Sequence, residues 1–279
     1  NGDLGFTTGK DQNTTYNGPK YLRYANPDIT WEVGSKWNLG LDLGLFNDFN
    51  MSVDLFKETR SDIFMERQSI PQFIGTSPSD RYMDLKTKLY GNLGKVENKG
   101  MDLSVDYVHS FNKDFSMSFK GTFTYATNKV LEYDEPGYLA YPNLSRVGHS
   151  INQPLLYIAD RLFIDDEEVA NSPAQKLGGF VQAGDIKYKD IPNADGVCDG
   201  VIDANDRVYT GHPTVPEIVY GFGPSFQYKK WDFSFFFQGV ARTSIVVGDI
   251  HPFGTDGLRN VQKFIANDYW SESNQNIYA

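Results

Sequence analysis

Met101-Asp102-Leu103-Ser104-Val105-Asp106-Tyr107, a polar turn at Asn112-Lys113-Asp114, and Phe115-Ser116-Met117-Ser118-Phe119-Lys120-Gly121-Thr122-Phe123-Thr124-Tyr125 form the stretch that decides the fold. Successive side chains of a β-strand point to opposite faces. Met101, Leu103, Val105 and Tyr107 therefore share one side, against Asp102, Ser104 and Asp106. Past the turn, Phe115, Met117, Phe119, Phe123 and Tyr125 repeat the apolar side, against Ser116, Ser118, Lys120, Thr122 and Thr124. The pattern recurs on both flanks. Upstream, Trp37, Leu39, Leu41, Leu43 and Leu45 oppose Asn38, Gly40, Asp42 and Gly44; after Asn47-Asp48, Met51, Val53 and Leu55 oppose Ser52 and Asp54. Downstream, Ile218, Tyr220, Phe222, Phe226 and Tyr228 oppose Val219, Gly221, Gly223, Ser225 and Gln227; past Lys229-Lys230, Trp231, Phe233, Phe235 and Phe237 oppose Asp232, Ser234 and Gln238.

Two all-β architectures alternate in this way, a transmembrane β-barrel and a soluble sandwich. The runs approach the roughly 9 to 11 residues of a tilted membrane strand, against about 5 to 6 in soluble sheets. The oily faces are aromatic, especially near strand ends, and carboxylates recur at mid-strand on the opposite face, as a wet lumen requires. These features favour part of a large antiparallel transmembrane barrel. A secreted, calcium-stabilised β-sandwich that binds glycans is the alternative, and solubility without detergent would distinguish it.

Composition narrows the classes. The 279 residues are 40% hydrophobic with mean hydropathy −0.46, and no run of about 18 apolar residues marks a membrane helix. Aromatic residues make up 15% of the chain, with Tyr 17 and Phe 20, which suits interfacial girdles. A net charge of −10 without a basic stripe argues against nucleic acid. The single cysteine, Cys198, excludes an internal disulfide framework. The chain starts at Asn1 with no charged-then-apolar leader, so it is expected to be an internal piece of a larger protein.

Loop length supplies an orientation. The turns after Phe46, Phe111 and Tyr228 are short, whereas the returns at about residues 61–99 and 129–216 are long and polar. Bacterial barrels place short turns in the periplasm and long loops outside. Function is expected in the long returns and on the lumen-facing side chains.

Several landmarks then match a family. Asn26-Pro27-Asp28-Ile29-Thr30-Trp31-Glu32 with Trp37-Asn38-Leu39-Gly40-Leu41-Asp42 resembles the start of a barrel hairpin in SusC/RagA-type TonB-dependent transporters. Tyr90-Gly91-Asn92-Leu93-Gly94-Lys95-Val96-Glu97-Asn98-Lys99-Gly100 is similar to that family's Asn-x-Gly-x-x-x-Asn-x-Gly entry to a strand. Gly184 to Asp190, Asp206 to Gly211, Pro216, Tyr220-Gly221-Phe222 and the Trp231 to Gly239 strand continue in family order. The resemblance runs from about Asn26 to Trp270 and covers neither a plug domain nor last strands. It implies the C-terminal portion of a barrel of about 22 strands with a plugged lumen. It further implies an outer-membrane importer of oligosaccharides or peptides, energised through TonB contacts outside this portion, and capped by a SusD-type surface lipoprotein.

The sharpest local constellation is Asp195-Gly196-Val197-Cys198-Asp199-Gly200-Val201-Ile202-Asp203-Ala204-Asn205-Asp206. Calcium takes several hard oxygens from a loop of roughly twelve residues with a glycine at its sharp turn. Asp195, Asp199, Gly200, Asp203 and Asp206 fit that spacing, Val197 does not, and the closing acid is Asp rather than Glu. A second register begins at Asp190, Asn193 and Asp195. Asn193, Asp195, Asp199, Asp203 and Asp206 are thus the candidate ligands. The competing reading is a solvated turn rich in Asp, Asn and Gly. Tyr133, Tyr138, Tyr141 and Tyr157 are expected to pack the loop, with sugar stacking as the alternative. Residues 147–157 resemble a family loop richer in glycine, from which Asn152 and Leu155 depart. Asp165 to Pro173 reads as one short capped, solvated helix. Nothing supports catalysis or an organic cofactor: His109, His149, His212 and His251 are scattered, and neither His-Glu-x-x-His nor Gly-x-Ser-x-Gly occurs.

Overall fold

The computed structural model describes residues 5–12, 14–17, 25–69, 89–245 and 263–278. β1 (Gly5–Thr8) and β2 (Thr14–Asn17) form a small hairpin. β3 (Val33–Leu45), β4 (Phe49–Glu66), β5 (Tyr90–Asn112) and β6 (Phe115–Glu132) form an antiparallel meander. β7 (Leu155–Leu156), β8 (Ala159–Leu162), the helix α1 (Asp166–Ala170), β9 (Ala174–Gln175), β10 (Ile186–Tyr188), β11 (Val201–Ile202) and β12 (Val208–Tyr209) lie in the long connection that follows. The chain then returns to the sheet as β13 (Ile218–Tyr228), β14 (Trp231–Ser234) and β15 (Phe237–Ala241), and ends in α2 (Lys263–Asn267). The large sheet runs β14-β13-β6-β5-β4-β3, with β15 continuing β14 along the same edge of β13.

Register turns alternation into two continuous surfaces. Leu41, Val53, Leu103, Phe123, Tyr220 and Gly239 lie in one cross-strand row. Leu43, Met51, Val105, Gly121, Phe222 and Phe237 form the next. A one-residue slip anywhere would mix the faces, so the pattern holds the register. Most of the apolar face is uncovered: Leu39 is 56% exposed and Leu41 54%. Among the described residues no second sheet packs on it, which overturns the sandwich alternative, because a sandwich buries that face.

The tight turns have local causes. Phe46 and Asn47 take left-handed φ of 57° and 59°, and the Asp48 amide donates to the Leu45 carbonyl at 3.2 Å. The left-handed pair thus begins one residue before the Asn47-Asp48 expected from the sequence. Asp48 also accepts from the Val108 amide through its carbonyl at 2.8 Å and meets His109 Nδ1 at 2.6 Å through its carboxylate. At the second turn Asn112 Oδ1 accepts from the Asp114 amide at 2.9 Å, the side-chain turn that asparagine favours.

Two departures from the alternation matter. β4 and β5 extend to Glu66 and back from Tyr90, so much of the expected return at 61–99 is strand; residues 70–88 lie outside the described residues. The sequence hid this because register shifts between Arg60 and Phe64, where Asp62 has φ 56°, break the two-residue period. In the last hairpin the ladder is interrupted at Phe235-Phe236, opposite Pro224, which has no amide hydrogen to donate.

The long connection has its own small core. β7 pairs with β12, β8 with β10, and β9 runs parallel to β11. Phe163 and Ile202, 1% and 0% exposed, are its centre. Residues expected to form a polar return are therefore a folded layer held at one end of the sheet, opposite the tight turns.

Candidate functional site: the polar wall and the layer above it

The wet face carries its carboxylates in adjacent rows. Gly40, Asp54, Asp102 and Thr124 lie side by side, as do Gly44, Asn50, Asp106 and Lys120. Asp54 and Asp102 are directly opposed, an arrangement that repels unless water screens it. Thr124 Oγ1 donates to Asp102 Oδ1 at 2.7 Å, and Lys120 Nζ stands 3.9 Å from Asp106. Small residues make room for these groups: a Cβ on Gly40 would come within 2.8 Å of Asp54 Oδ1. The result is a polar, mainly acidic wall.

The family-like asparagines stitch the entry segment to that wall. Asn92 Oδ1 accepts from the Thr30 amide at 2.9 Å, while its Nδ2 donates to the carbonyls of Thr30 at 2.9 Å and Asp62 at 2.7 Å. Asn26 Nδ2 donates to the Tyr90 carbonyl at 2.9 Å. These side chains replace ladder bonds where the strands are irregular, which is why their identity matters there.

Above the wall, the connection is pinned to β6. Asn128 Oδ1 accepts from Ser150 Oγ at 3.0 Å and from the Ile151 amide at 2.8 Å. Glu135 accepts from Ser145 Oγ at 2.5 Å and the Arg146 amide at 2.9 Å. The Arg146 guanidinium lies 5.1 Å from the Tyr133 ring centre. Tyr157 packs on Tyr188 at 5.5 Å, and Tyr138 is half-buried. Burial raises the Tyr141 hydroxyl above its usual range, aided by the charge of Asp199 and its neighbours. Tyr133, Tyr141 and Tyr157 thus take part in loop contacts. In 147–157 Gly148 is left-handed at φ 95°, and His149 stacks on Tyr209 at 4.5 Å.

The five candidate calcium ligands occupy one loop, and the side-chain oxygens of four of them, Asn193, Asp199, Asp203 and Asp206, accept backbone amides. Asn193 Oδ1 accepts from the amides of Asp195 at 2.9 Å and Val197 at 3.0 Å. Asp199 Oδ1 accepts from Val201 at 2.9 Å and Asp203 Oδ1 from Asn205 at 2.8 Å. Asp206, 3% exposed, uses Oδ1 for the Ile191 amide at 2.8 Å and Oδ2 for the Asp203 amide at 2.7 Å. Asp190 Oδ2 receives the Gly200 amide at 2.8 Å. Among the described residues no three His, Cys, Asp or Glu side chains converge as a metal ion needs. Asp206→Ala is therefore expected to open residues 190–206, seen as a rise in amide exchange of at least about tenfold, the effect of roughly 1.4 kcal/mol. The same exchange measured with calcium and with EDTA tests the metal reading of this loop: protection that requires calcium supports it, and protection indifferent to chelation overturns it.

Glu168 is more than the solvated face expected of its helix. Asp165 caps α1 by accepting from the Glu168 amide at 2.7 Å, as the sequence indicates. The Glu168 carboxylate turns back to receive the Ile164 amide at 3.0 Å, Lys187 Nζ at 2.8 Å and both terminal nitrogens of Arg161. Burial pushes its pKa up, but the amide and the two cations outweigh burial and bring it down to about 2. A depressed carboxylate stabilises fully above its ordinary value near 4.5 and loses that contribution as pH falls toward 2. Protection of residues 161–187 is expected to fall across that window in wild type, and Glu168→Gln should lower it at neutral pH and flatten the profile.

These surfaces define a class: an antiparallel membrane-barrel wall, oily on one side and wet on the other, with tight turns at one end and a folded layer at the other. The chain belongs to the TonB-dependent receptor-like β-barrel family, whose model matches residues 2–244. It is 24% identical over 272 residues to TonB-dependent receptor P3 of Formosa agariphila, covering 93% of this chain and 25% of that protein. TonB-dependent receptor SusC of Bacteroides thetaiotaomicron is 25% identical over 232 residues, covering 79% of this chain and 20% of its own length. The solved RagAB peptide transporter superposes with a TM-score of 0.63 at 21% identity, over 99% of this chain and 29% of that one. The chain spans about a quarter of the curated relatives it matches. The apolar face is accordingly the lipid face and the Asp102 face the lumen.

Proposed function

We propose that this chain forms wall and extracellular layer of an energy-coupled outer-membrane importer for oligosaccharides or peptides. The observation that carries this reading is the oily face shared by the strands from β3 to β15, backed by a polar, mainly acidic face and crowned by one folded layer. A TonB-type periplasmic partner would act through parts of the protein outside this chain, and a SusD-type lipoprotein would close over the 129–216 layer. By analogy, the TonB-dependent receptor SusC supports the energy coupling and the RagAB peptide transporter supports a transported ligand.

The test is uptake of labelled oligosaccharides and peptides by cells making the full-length protein, compared with a deletion strain. Uptake that requires the gene and stops with an uncoupler supports the proposal. Uptake that ignores the uncoupler, or no difference for either ligand class, overturns it. A co-purifying surface lipoprotein in mild detergent would support the lid.

A further inference from the structure

The lipid face changes character abruptly at its outer end. Its last oily row is Leu39, Leu55, Met101, Tyr125 and Ile218. One row further out come Trp37, Lys57, Lys99 and Thr127, then Glu97 and Lys129. The same strands thus pass from oil to cations within two rows. Residues of the long connection, including Ser150 and His212, border these rows and line an open cleft of about 490 Å³, together with Lys99, Lys129, Arg242 and the carboxylates Glu97 and Glu217.

The charge balance is uneven. Lys57 is matched by Glu97 at 2.8 Å, and Arg242 by Glu217 at 2.7 Å. Lys99 and Lys129 are exposed, flank Glu97, and make no ion pair of their own among the described residues. Two surplus lysines remain beside the open cleft, directly above the oily rows, with Trp37 in the row of Lys99 and Tyr125 in the row beneath. The oily row beside the cleft favours a lipid over a free anion, because a lipid can seat its chains on the Met101–Tyr125 row and its head group in the cleft.

We propose that this cleft holds the phosphate-bearing head group of an outer-leaflet lipid, with Lys99 and Lys129 as its charge-assisted donors. The inference rests on the membrane reading of the oily face and is independent of what the protein imports. It also gives the long connection a second anchor, through lipid, at the edge of the barrel.

The test uses the full-length receptor in nanodiscs doped with a diphosphorylated glycolipid or with the same lipid after phosphatase treatment. Lipid retained on the protein is measured by native mass spectrometry. Wild type should prefer the phosphorylated form, and Lys99→Gln/Lys129→Gln should lower that preference about fivefold per lysine, roughly 25-fold for the pair. Lys113→Gln/Lys230→Gln removes the same charge at the opposite end of the strands and should leave retention intact. Equal retention of both lipids, an equal loss in the control pair, or displacement by equimolar inorganic phosphate would overturn the head-group site. Failure of the receptor to enter the bilayer at all would instead remove the membrane reading on which it stands.

Discussion

Gly100→Val in the full-length protein is expected to abolish the folded barrel species that migrates compactly in unheated gels. A Cβ at Gly100 would come within 2.5 Å of Phe56 Cζ and 3.0 Å of the Ala126 Cα, and would run into the Tyr125 carbonyl oxygen. The ring of Phe56 could turn away; the backbone of β6 cannot move without breaking its pairing on both edges, with β5 and with β13. Overpacking in a well-packed place costs about 1–3 kcal/mol even where neighbours relax, so a valine against fixed backbone exceeds that range. Gly137→Val is the control, because a Cβ there meets nothing within 4 Å. Normal assembly of the Gly100 variant would mean that β5 and β6 pair differently from the register described.

Glu217→Ala is expected to lower stability by about 2–3 kcal/mol, because two donors lose a buried charged acceptor. Glu217 is 6% exposed, immediately before β13; it accepts from Thr127 Oγ1 at 2.6 Å and from Arg242 Nε at 2.7 Å. Burial alone would raise its pKa, but the two hydrogen bonds and the Arg242 charge hold it below the usual carboxylate range. With a depressed folded value, the stabilisation is complete above the ordinary carboxylate pKa and disappears as pH falls through the folded one. Urea unfolding in detergent should show the wild-type and Glu217→Ala curves far apart at pH 7 and converging in acid. A separation below about 0.5 kcal/mol at pH 7, the range of ordinary surface changes, would show that Glu217 is not a fastener. The carboxylate ties Thr127 of β6 to Arg242, just past β15, across β13, so its loss should loosen the rim on which the folded 129–216 layer stands.

The rows of the wall were legible from residues alone. Leu39 to Leu45 and Met101 to Tyr107 alternate with a period of two, and only one register keeps such strands consistently oily on one side. The strand extensions past Ser61 and before Gly100 were not, because the shift around Asp62 exchanges faces in mid-strand. The acidic loop shows the opposite problem. Its spacing suits a cation, yet carboxylates and amides compete in any Asp- and Gly-rich turn, and no spacing rule states which amide will lie within reach. Glu217 carried no signal: Glu217, Thr127 and Arg242 are 90 and 25 residues apart along the chain and meet only through the pairing of β6 with β13 and of β13 with β15.

What the sequence by itself determined is the two-sided sheet, its tight turns and its kinship, because these depend on side-chain period and local backbone preference. Tertiary structure alone decided which charges meet, that Glu168 turns inward to Arg161 and Lys187, and that Asp206 holds amides. It also decided that lysines on separate strands share one cleft above the oil. Each of these depends on distances between segments remote in the chain, which periodicity cannot encode.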